Sequence, residues 1–431
     1  MLNGPFVLGL FAAAVLVGLL AGSYPAFFLS GFQPLNVLKG EVKTGQAGAF
    51  LRRNLVIVQF AVSIILMIGA GIVFQQVQYI QQKNLGFSKE QLVLVPIRND
   101  AMRKTIKTIK ADLLRNASIV GATACYGVPG GRFAGDGIQV PGRSKEFTSN
   151  MFLVDEDYIP TMGMTMAAGR NLSTAFSTDA REGFILNETA VRALGWGAAA
   201  GAIGKEVSWR EWEPATPADS IKRGKVIGVV KDFNYKTIHQ KIEPMVLHIV
   251  PSGYSHLVVR IRPEATTAAL GVLEKKWQSV AGEWPFEYTF LDEQFAEQYR
   301  SEQIFSKVFG LFTFLSIFIT CLGLFGLAAF TAEQRTKEIG VRKVLGASVG
   351  SIVALLSKDF LKLVLIALVI ASPIAWYAMS QWLQSFAYKV TIEWWMFVLV
   401  GLLAVGIAFL TVSFQSIKAA LTNPVKSLRT E

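Results

Sequence analysis

The residues best suited to chemistry are few, and each stands in surroundings that argue against catalysis. Gly346-Ala347-Ser348-Val349-Gly350 satisfies G-x-S-x-G, the spacing of a nucleophile elbow. That elbow needs a strand before the serine and a helix after it; here a basic stretch of helical pattern precedes it. A phosphate-binding loop needs G-x-x-x-x-G-K-[ST]. The nearest approach, at Gly204-Lys205, has Ala199 for the first glycine and Glu206 for the hydroxyl. His239, His248 and His256 show no paired-ligand spacing and read as satisfied histidines rather than metal ligands. Cys125 falls in a long polar segment and Cys321 inside an apolar run, so the two suggest no disulfide framework. Asp359, flanked by Lys358 and Lys362, reads as the boundary of an apolar run whose lysines can snorkel. The apolar runs hold no acidic pair and no Ser–His set for an intramembrane protease. The expectation is a chain with no catalysis, no metal and no cofactor of its own.

The most informative stretch is residues 333–348, EQRTKEIGVRKVLGAS, a charged segment between two long apolar runs. Glu338 and Arg342 stand four apart with the acid first, the order that supports a solvated helix face. Val341, Val344 and Leu345 recur at helical spacing and suit an opposite, apolar face. From the residues alone, the segment is either a basic loop that fixes topology or a short amphipathic helix that docks on a partner. Its wording, E-x-R-x-x-E-I-G-V-R-K-x-L-G-A, closely resembles the signature of FtsX/MacB-type ABC transporter permeases. The resemblance implies contact with a cytoplasmic ABC ATPase subunit. It places that contact on Glu333, Arg335, Glu338, Ile339, Gly340, Arg342, Lys343 and Gly346, with ATP bound by the partner only.

Such a segment has to be positioned by membrane helices, and the composition supplies them. The chain is 52% hydrophobic and 17% charged, with 30 Phe and 9 Trp, too apolar for a soluble protein of 431 residues. Five uncharged runs reach the roughly 20 residues needed to cross a bilayer. They lie near 6–29, 55–74, 308–330, 363–383 and 394–414, and the first lacks the basic start and cleavage site of a signal peptide. Pro25 and Pro373 are compatible with membrane helices, because neighbouring helices can satisfy the freed backbone groups.

Charge sets the orientation. Lys39, Lys43, Arg52 and Arg53 precede the second run, Arg335, Lys337, Arg342 and Lys343 follow the third, and Lys418, Lys426 and Arg429 follow the fifth. These segments fall on one side if five spans alternate, and by the positive-inside rule that side is the cytoplasm. They account for +7 of the formal +11, so the excess charge is mainly a topology signal and gives no nucleic-acid footprint.

The long segment 76–303 then lies outside. Strand-like runs occur at 91–97, 225–230, 245–250 and 256–261, and amphipathic helices fit 101–114 and 266–281. Gly- and Pro-bearing stretches at 128–142 and 213–218 suggest an inserted lobe. Residues 75–83 and 292–307 look like stalk helices leading the spans out of the bilayer. VDEDYIPTMGMTMAAGRNL, FILNETAVRALGW and KVIGVVKDFNY resemble the MacB-like periplasmic core domain, which in relatives has a porter-like α/β lobe and a mainly β lobe.

An internal echo, P-x-x-x-L-[KR]-x-E, occurs at 34–41 and again at 424–431, each after an apolar run. It makes the first run similar to the last; on the pattern of doubled members of the resembled family, residues 1–41 look like the end of a first half and 54–431 like a complete second half, so the resemblance implies the C-terminal half of a doubled permease. The fold expected is a multi-pass α-helical membrane protein with a large extracytoplasmic α+β domain, the MacB-like periplasmic core domain. Its divisions are a transmembrane helix at 1–30, a cytoplasmic connection at 31–53, a transmembrane helix at 54–75 and the MacB-like domain with stalk helices at 76–303. An FtsX-like permease domain with three transmembrane helices follows at 304–417, holding the coupling helix 333–348, and a cytoplasmic tail ends the chain at 418–431.

The function implied is that of a permease subunit in the bacterial inner membrane. It would couple hydrolysis by a separate ATPase to motion of the outer domain, for export or extraction of a peptide, lipoprotein or drug-like substrate. Expected partners are the ATPase, a second permease half or a homodimer mate, and an extracytoplasmic protein; no nucleic acid is expected. The rival readings are an FtsX-like regulator of a cell-wall hydrolase and a membrane-anchored sensor with no ATPase.

Overall fold

The structure is a computed structural model that describes residues 46–131, 133–210, 221–237, 239–281 and 283–421, with helical residues at intervals between 4 and 19. Most of the first expected span, the stretch 213–218 and both copies of P-x-x-x-L-[KR]-x-E lie outside the described residues. Helix α1 (Gln46–Gln82) is followed by β1 (Leu92–Pro96), α2 (Asp100–Leu113), β2 (Ile119–Tyr126), β3 (Ala134–Gln139) and β4 (Phe147–Val154). Next come α3 (Tyr158–Met162), β5 (Met166–Gly169), α4 (Asp179–Glu182), β6 (Gly183–Asn187), α5 (Glu188–Leu194), β7 (Glu206–Arg210) and β8 (Ile221–Val230). The outer segment closes with β9 (Met245–His248), β10 (His256–Ile261), α6 (Thr266–Val280), β11 (Thr289–Phe290) and α7 (Leu291–Gln298). Helices α8 (Arg300–Gln334), α9 (Thr336–Val344), α10 (Val349–Leu383) and α11 (Trp394–Leu421) complete the chain.

The strands form two connected parts. β4, β3, β7, β8, β6 and β9 pair in succession, and β9 pairs back onto β4 in parallel, which closes a six-stranded ring. From β4 an antiparallel arm runs through β2, β10 and β1 to the two-residue edge strand β11. β1 reads LVLVP because both of its faces are covered. Leu92 and Leu94 enter one core with Phe152 and Phe233, while Val93 and Val95 enter another with α2 and α6. Asn99 caps α2 by accepting from the Met102 N–H at 2.8 Å, and Met102, Ile106, Ile109 and Leu113 form its buried stripe. Asn187 does three jobs from a fully buried position. It caps α5 through the Ala190 N–H, accepts from the Met245 N–H of β9, and donates to Glu243 O.

A buried ion cluster ties α2 to the arm. Lys110 Nζ lies 2.5 Å from Asp155 Oδ2 and 2.7 Å from Asp157 Oδ2. Asp155 also accepts from the Thr123 hydroxyl and from the Ala124 N–H. Burial works against the Lys110 ammonium, but the two carboxylates outweigh it and hold its pKa above the ordinary lysine value.

His248 is the opposite case. It is wholly buried, stacked on Phe184 and met edge-on by Trp209, with Lys222 Nζ 3.3 Å from Nδ1. Burial first, and the nearby Lys222 ammonium second, push its pKa well below the ordinary histidine value. Between that depressed value and about 6.5 the unfolded chain binds a proton that the folded chain does not. Stability from this site is therefore complete above about pH 6.5 and falls as the pH drops through that window. His256, half-buried, shifts in the same direction, through desolvation first and the Arg98 charge second. The melting temperature of the full chain in detergent is expected to fall by several degrees from pH 7 to pH 5, and His248→Phe should reduce that fall. An unchanged pH dependence in the variant would contradict the assignment.

The chain divides into two compact units, Met1–Ala61 with Thr320–Ala367 and Ala408–Glu431, and Val62–Ile319 with Leu368–Ile407. Three described helices are long and apolar enough to cross a membrane, at Arg52–Gln82, Arg300–Gln334 and Trp394–Lys418. Of the five expected spans, three fall in these helices. The run 363–383 lies in α10, which continues through Pro373, and the run 6–29 is largely outside the described residues. Within the second unit, α1 and α8 meet through small and polar residues. Ser63 Oγ lies 2.6 Å from Ser316 Oγ, and Thr313 Oγ1 donates to Leu66 O at 3.2 Å. A Cβ at Gly69 would come within 2.8 Å of the Phe309 ring, so the glycine permits the close approach. The outward side of α8 carries Phe312, Phe314, Phe318 and Leu322, each more than half exposed, as suits a lipid-facing surface.

Candidate functional site

The segment between the spans is built from a break and a cap. α8 ends at Gln334, and Arg335 leaves helical geometry with φ −98° and ψ 16° before α9 starts. The helix expected over 333–348 is thus the end of α8, a kink, and the nine residues of α9. Glu338 sits in the first turn and Arg342 and Lys343 in the last, the order the helix dipole favours. Gly346 takes φ +92°, a conformation in which a side chain costs about 1–2 kcal/mol. Nothing lies within 4 Å of a Cβ built there, so the demand for glycine is conformational.

One face of α9 is turned to the chain's own helices. Ile339, 6% exposed, packs with Ile352 and Leu356 of α10 and Ala420 of α11, and Gly340 is buried beside it. Lys343 Nζ donates to Ala420 O at 2.6 Å, one residue before the end of α11, where a cation meets the negative end of the dipole. Arg335 Nη2 reaches Asp359 Oδ2 of α10 at 3.1 Å. The boundary residue Asp359 is therefore also the anchor of the kink.

The other face points away. Val341, Val344 and Leu345 are 48%, 67% and 79% exposed, and Glu338 and Arg342, paired at 2.8 Å, stand half exposed. Glu333 is exposed at the end of α8. The eight residues singled out from sequence are thus separated by the fold. Arg335, Ile339, Gly340 and Lys343 hold α9 in place, Gly346 shapes the exit, and Glu333, Glu338 and Arg342 are presented outward with the apolar trio. Sequence reasoning missed the Lys343–Ala420 contact because its acceptor is a backbone carbonyl that carries no residue signal. The Arg335–Asp359 pair had one, a lone acid in the approach to an apolar run.

Comparison with known proteins agrees with this architecture. Residues 310–424 match the FtsX-like permease C-terminal family, and residues 55–271 match the MacB-like periplasmic core domain. Among solved structures, the chain is similar to the periplasmic region of MacB from Actinobacillus actinomycetemcomitans, at 18% identity over 51% of this chain and 98% of that one, with a TM-score of 0.35. It is also similar to a domain of a permease protein from Porphyromonas gingivalis, at 15% identity over 47% of this chain and 92% of that one, TM-score 0.31. A third is the extracellular domain of the noncanonic ABC-type transporter YknZ from Gram-positive bacteria, at 10% identity over 46% and 97%, TM-score 0.32. Comparison with curated proteins gives no match. The MacB-like match spans half of the sequence and the FtsX-like match most of the remainder after it. The chain therefore belongs to the MacB/FtsX-like family of ABC-type transporter permeases, as a membrane protein with a large periplasmic domain.

Proposed function

We propose that this chain is the permease subunit of an ABC transporter complex and that a separate ATPase docks on the outward face of α9. The observation that carries the reading is the exposed trio Val341, Val344 and Leu345 beside the Glu338–Arg342 pair, on a helix whose other face is pinned to α10 and α11. An apolar patch rimmed by charge, outside the spans, suits a protein partner. The basic residues of the segment support a cytoplasmic position for that face, where ATP is available. ATP is bound and hydrolysed by the partner.

This chain converts the partner's motion. α8 is one helix of 35 residues, about 50 Å long, and only Arg335 separates it from α9. A tilt of α9 is passed through the Arg335 kink to α8 and so to the outer domain. The work is done there on a peptide, lipoprotein or drug-like substrate, with a second permease half or a second copy completing the complex in the bacterial cytoplasmic membrane. Mass spectrometry of proteins that co-purify with the tagged chain from gently solubilised membranes tests the reading. A soluble ATPase recovered in stoichiometric amount is expected. Folded chain recovered without one would contradict the reading in favour of a sensor.

A further inference from the structure

Within the second unit, α1 and the loop between α10 and α11, residues 384–393, enclose a cleft of about 560 Å³. That volume falls in the roughly 300–1,000 Å³ of small-ligand sites. One wall is α1, where Gln75, Gln78, Tyr79 and Gln82 stand at i, i+3, i+4 and i+7 and so share a helix face, with Phe74 beside them. The other wall is the loop, which contributes Lys389, Thr391 and Glu393. This wall is fixed. Gln76 of α1, fully buried, donates from Nε2 to Tyr388 O at 2.9 Å and accepts at Oε1 from the Val390 N–H at 2.9 Å. Lys389 stands between these two pinned residues. Lys83 adds a cation over the Tyr388 ring at 3.5 Å, and Phe386, 5% exposed, stacks on the His239 ring with centroids 4.4 Å apart.

The sequence sets the cleft at the depth of lipid headgroups. The apolar run in α1 ends at Phe74, and Gln75 and Gln76 follow it. The run in α10 ends at Leu383, and α11 opens on Trp394 and Trp395, both exposed, a residue type that favours the membrane–water boundary. Phe74, 58% exposed, is thus on the hydrocarbon side of the cleft and the glutamines on the water side.

The groups in the cleft are of two kinds. Lys389 is an exposed ammonium with no ion pair among the described residues. The Gln82 amide donates to Gln78 Oε1 at 3.1 Å, which leaves the Gln78 amide nitrogen as a donor. Glu393, also exposed, accepts from the Thr391 hydroxyl on Oε1 at 2.7 Å, and its Oε2 remains to accept. A phosphate suits the ammonium and the amides, and a primary ammonium suits the carboxylate. A purely anionic headgroup would leave Glu393 repelling it, and a quaternary ammonium has no N–H to give. We propose that the cleft binds the phosphoethanolamine headgroup of a membrane phospholipid. Its phosphate lies on Lys389 and the glutamine amides, its ammonium on Glu393, and its acyl chains leave past Phe74. The headgroup then bridges α1 and the loop from outside as Gln76 bridges them from within. The site needs a membrane but no ATPase, so its test is separate from that of docking.

The test is native mass spectrometry of the full chain in detergent micelles, titrated with phosphatidylethanolamine, phosphatidylcholine or phosphatidylglycerol of identical acyl chains. The first phosphatidylethanolamine should bind about tenfold more tightly than either of the others, the worth of one charge-assisted hydrogen bond. Glu393→Gln should lose the preference over phosphatidylglycerol, and Lys389→Gln should bind all three lipids about tenfold more weakly. Both are conservative changes at exposed positions, so the fold is kept. Glycerophosphoethanolamine, the same headgroup without chains, should displace the lipid only in large excess. Equal affinity for the three lipids, or a native preference kept by Glu393→Gln, would reduce the cleft to ordinary lipid contact and overturn the site. Displacement by equimolar glycerophosphoethanolamine or inorganic phosphate would assign the cleft to a soluble phosphate compound and overturn the lipid.

Discussion

Val344→Asp/Leu345→Asp is expected to abolish recovery of the ATPase with the tagged chain and to leave its melting temperature within a degree or two of native. The two side chains are 67% and 79% exposed, on the side of α9 opposite the buried Ile339. Val344 ends α9 and Leu345 is its C-cap, so the two acids meet the negative end of the helix dipole, at about 0.3–1 kcal/mol each, a small loss for the whole fold. Two carboxylates in the centre of an apolar contact would be desolvated without partners, at roughly 2 kcal/mol or more each, enough to weaken docking beyond detection. Glu338→Lys/Arg342→Glu is the companion experiment. It keeps an ion pair at the same spacing, so α9 persists, but it reverses the charges offered to the partner. Both variants should lose the ATPase. Recovery of the ATPase at native yield with either would move the docking surface off α9.

Lys110→Met is expected to cost about 3–5 kcal/mol, the penalty for a buried carboxylate stripped of its counter-ion. Lys110 and Asp155 are each 7% exposed at the side chain, so water does not replace the lost ammonium. The sign of the pH dependence follows. Burial is the leading influence on Asp155 and pushes its pKa up, and removing Lys110 removes the principal influence in the other direction. The variant's Asp155 can then take up a proton, so the penalty should shrink as the pH falls from 7 towards 5. Lys110→Met/Asp155→Asn should recover part of the loss, because without a charge the amide oxygen can accept from the Ala124 N–H while its NH2 group donates to the Thr123 hydroxyl. Thermal unfolding of the three chains at pH 5 and pH 7 checks this. A Lys110→Met penalty under 1 kcal/mol, or one that grows on acidification, would show that the cluster is solvated.

Much of this was legible in the sequence wherever burial leaves a pattern. β1 and β10 alternate two cores and read as apolar runs, and α2 and α6 carry helical stripes. The ring was not legible. β3 is AGDGIQ, two glycines and an acid in six residues, and it is a strand because β4 and β7 pair with it on either side. The Trp209 indole of β7 donates to Asp136 across that pairing, a contact between residues 73 apart. The segment 333–348 was legible as a motif but not as two faces, because a 3.6-residue period shows which residues share a face and not which face is covered. Ile339 is covered and Val344 is not, on account of where α10 and α11 lie. The contacts of His239 with Ser385 and Glu302 gave no sequence signal, since both partners come from segments more than 60 residues away.

On the proposed function, ATP turnover on the cytoplasmic side moves the outer domain. It is tested most directly by the distance between spin labels at Glu274, exposed on α6, and Thr391, exposed in the loop between α10 and α11, with Cys321 replaced by Ala and Cys125 buried. In the complex with its ATPase, the distance distribution should shift between the ATP-bound and post-hydrolysis states and stay fixed in the Val344→Asp/Leu345→Asp chain. One distribution shared by all nucleotide states in the native complex would contradict the account.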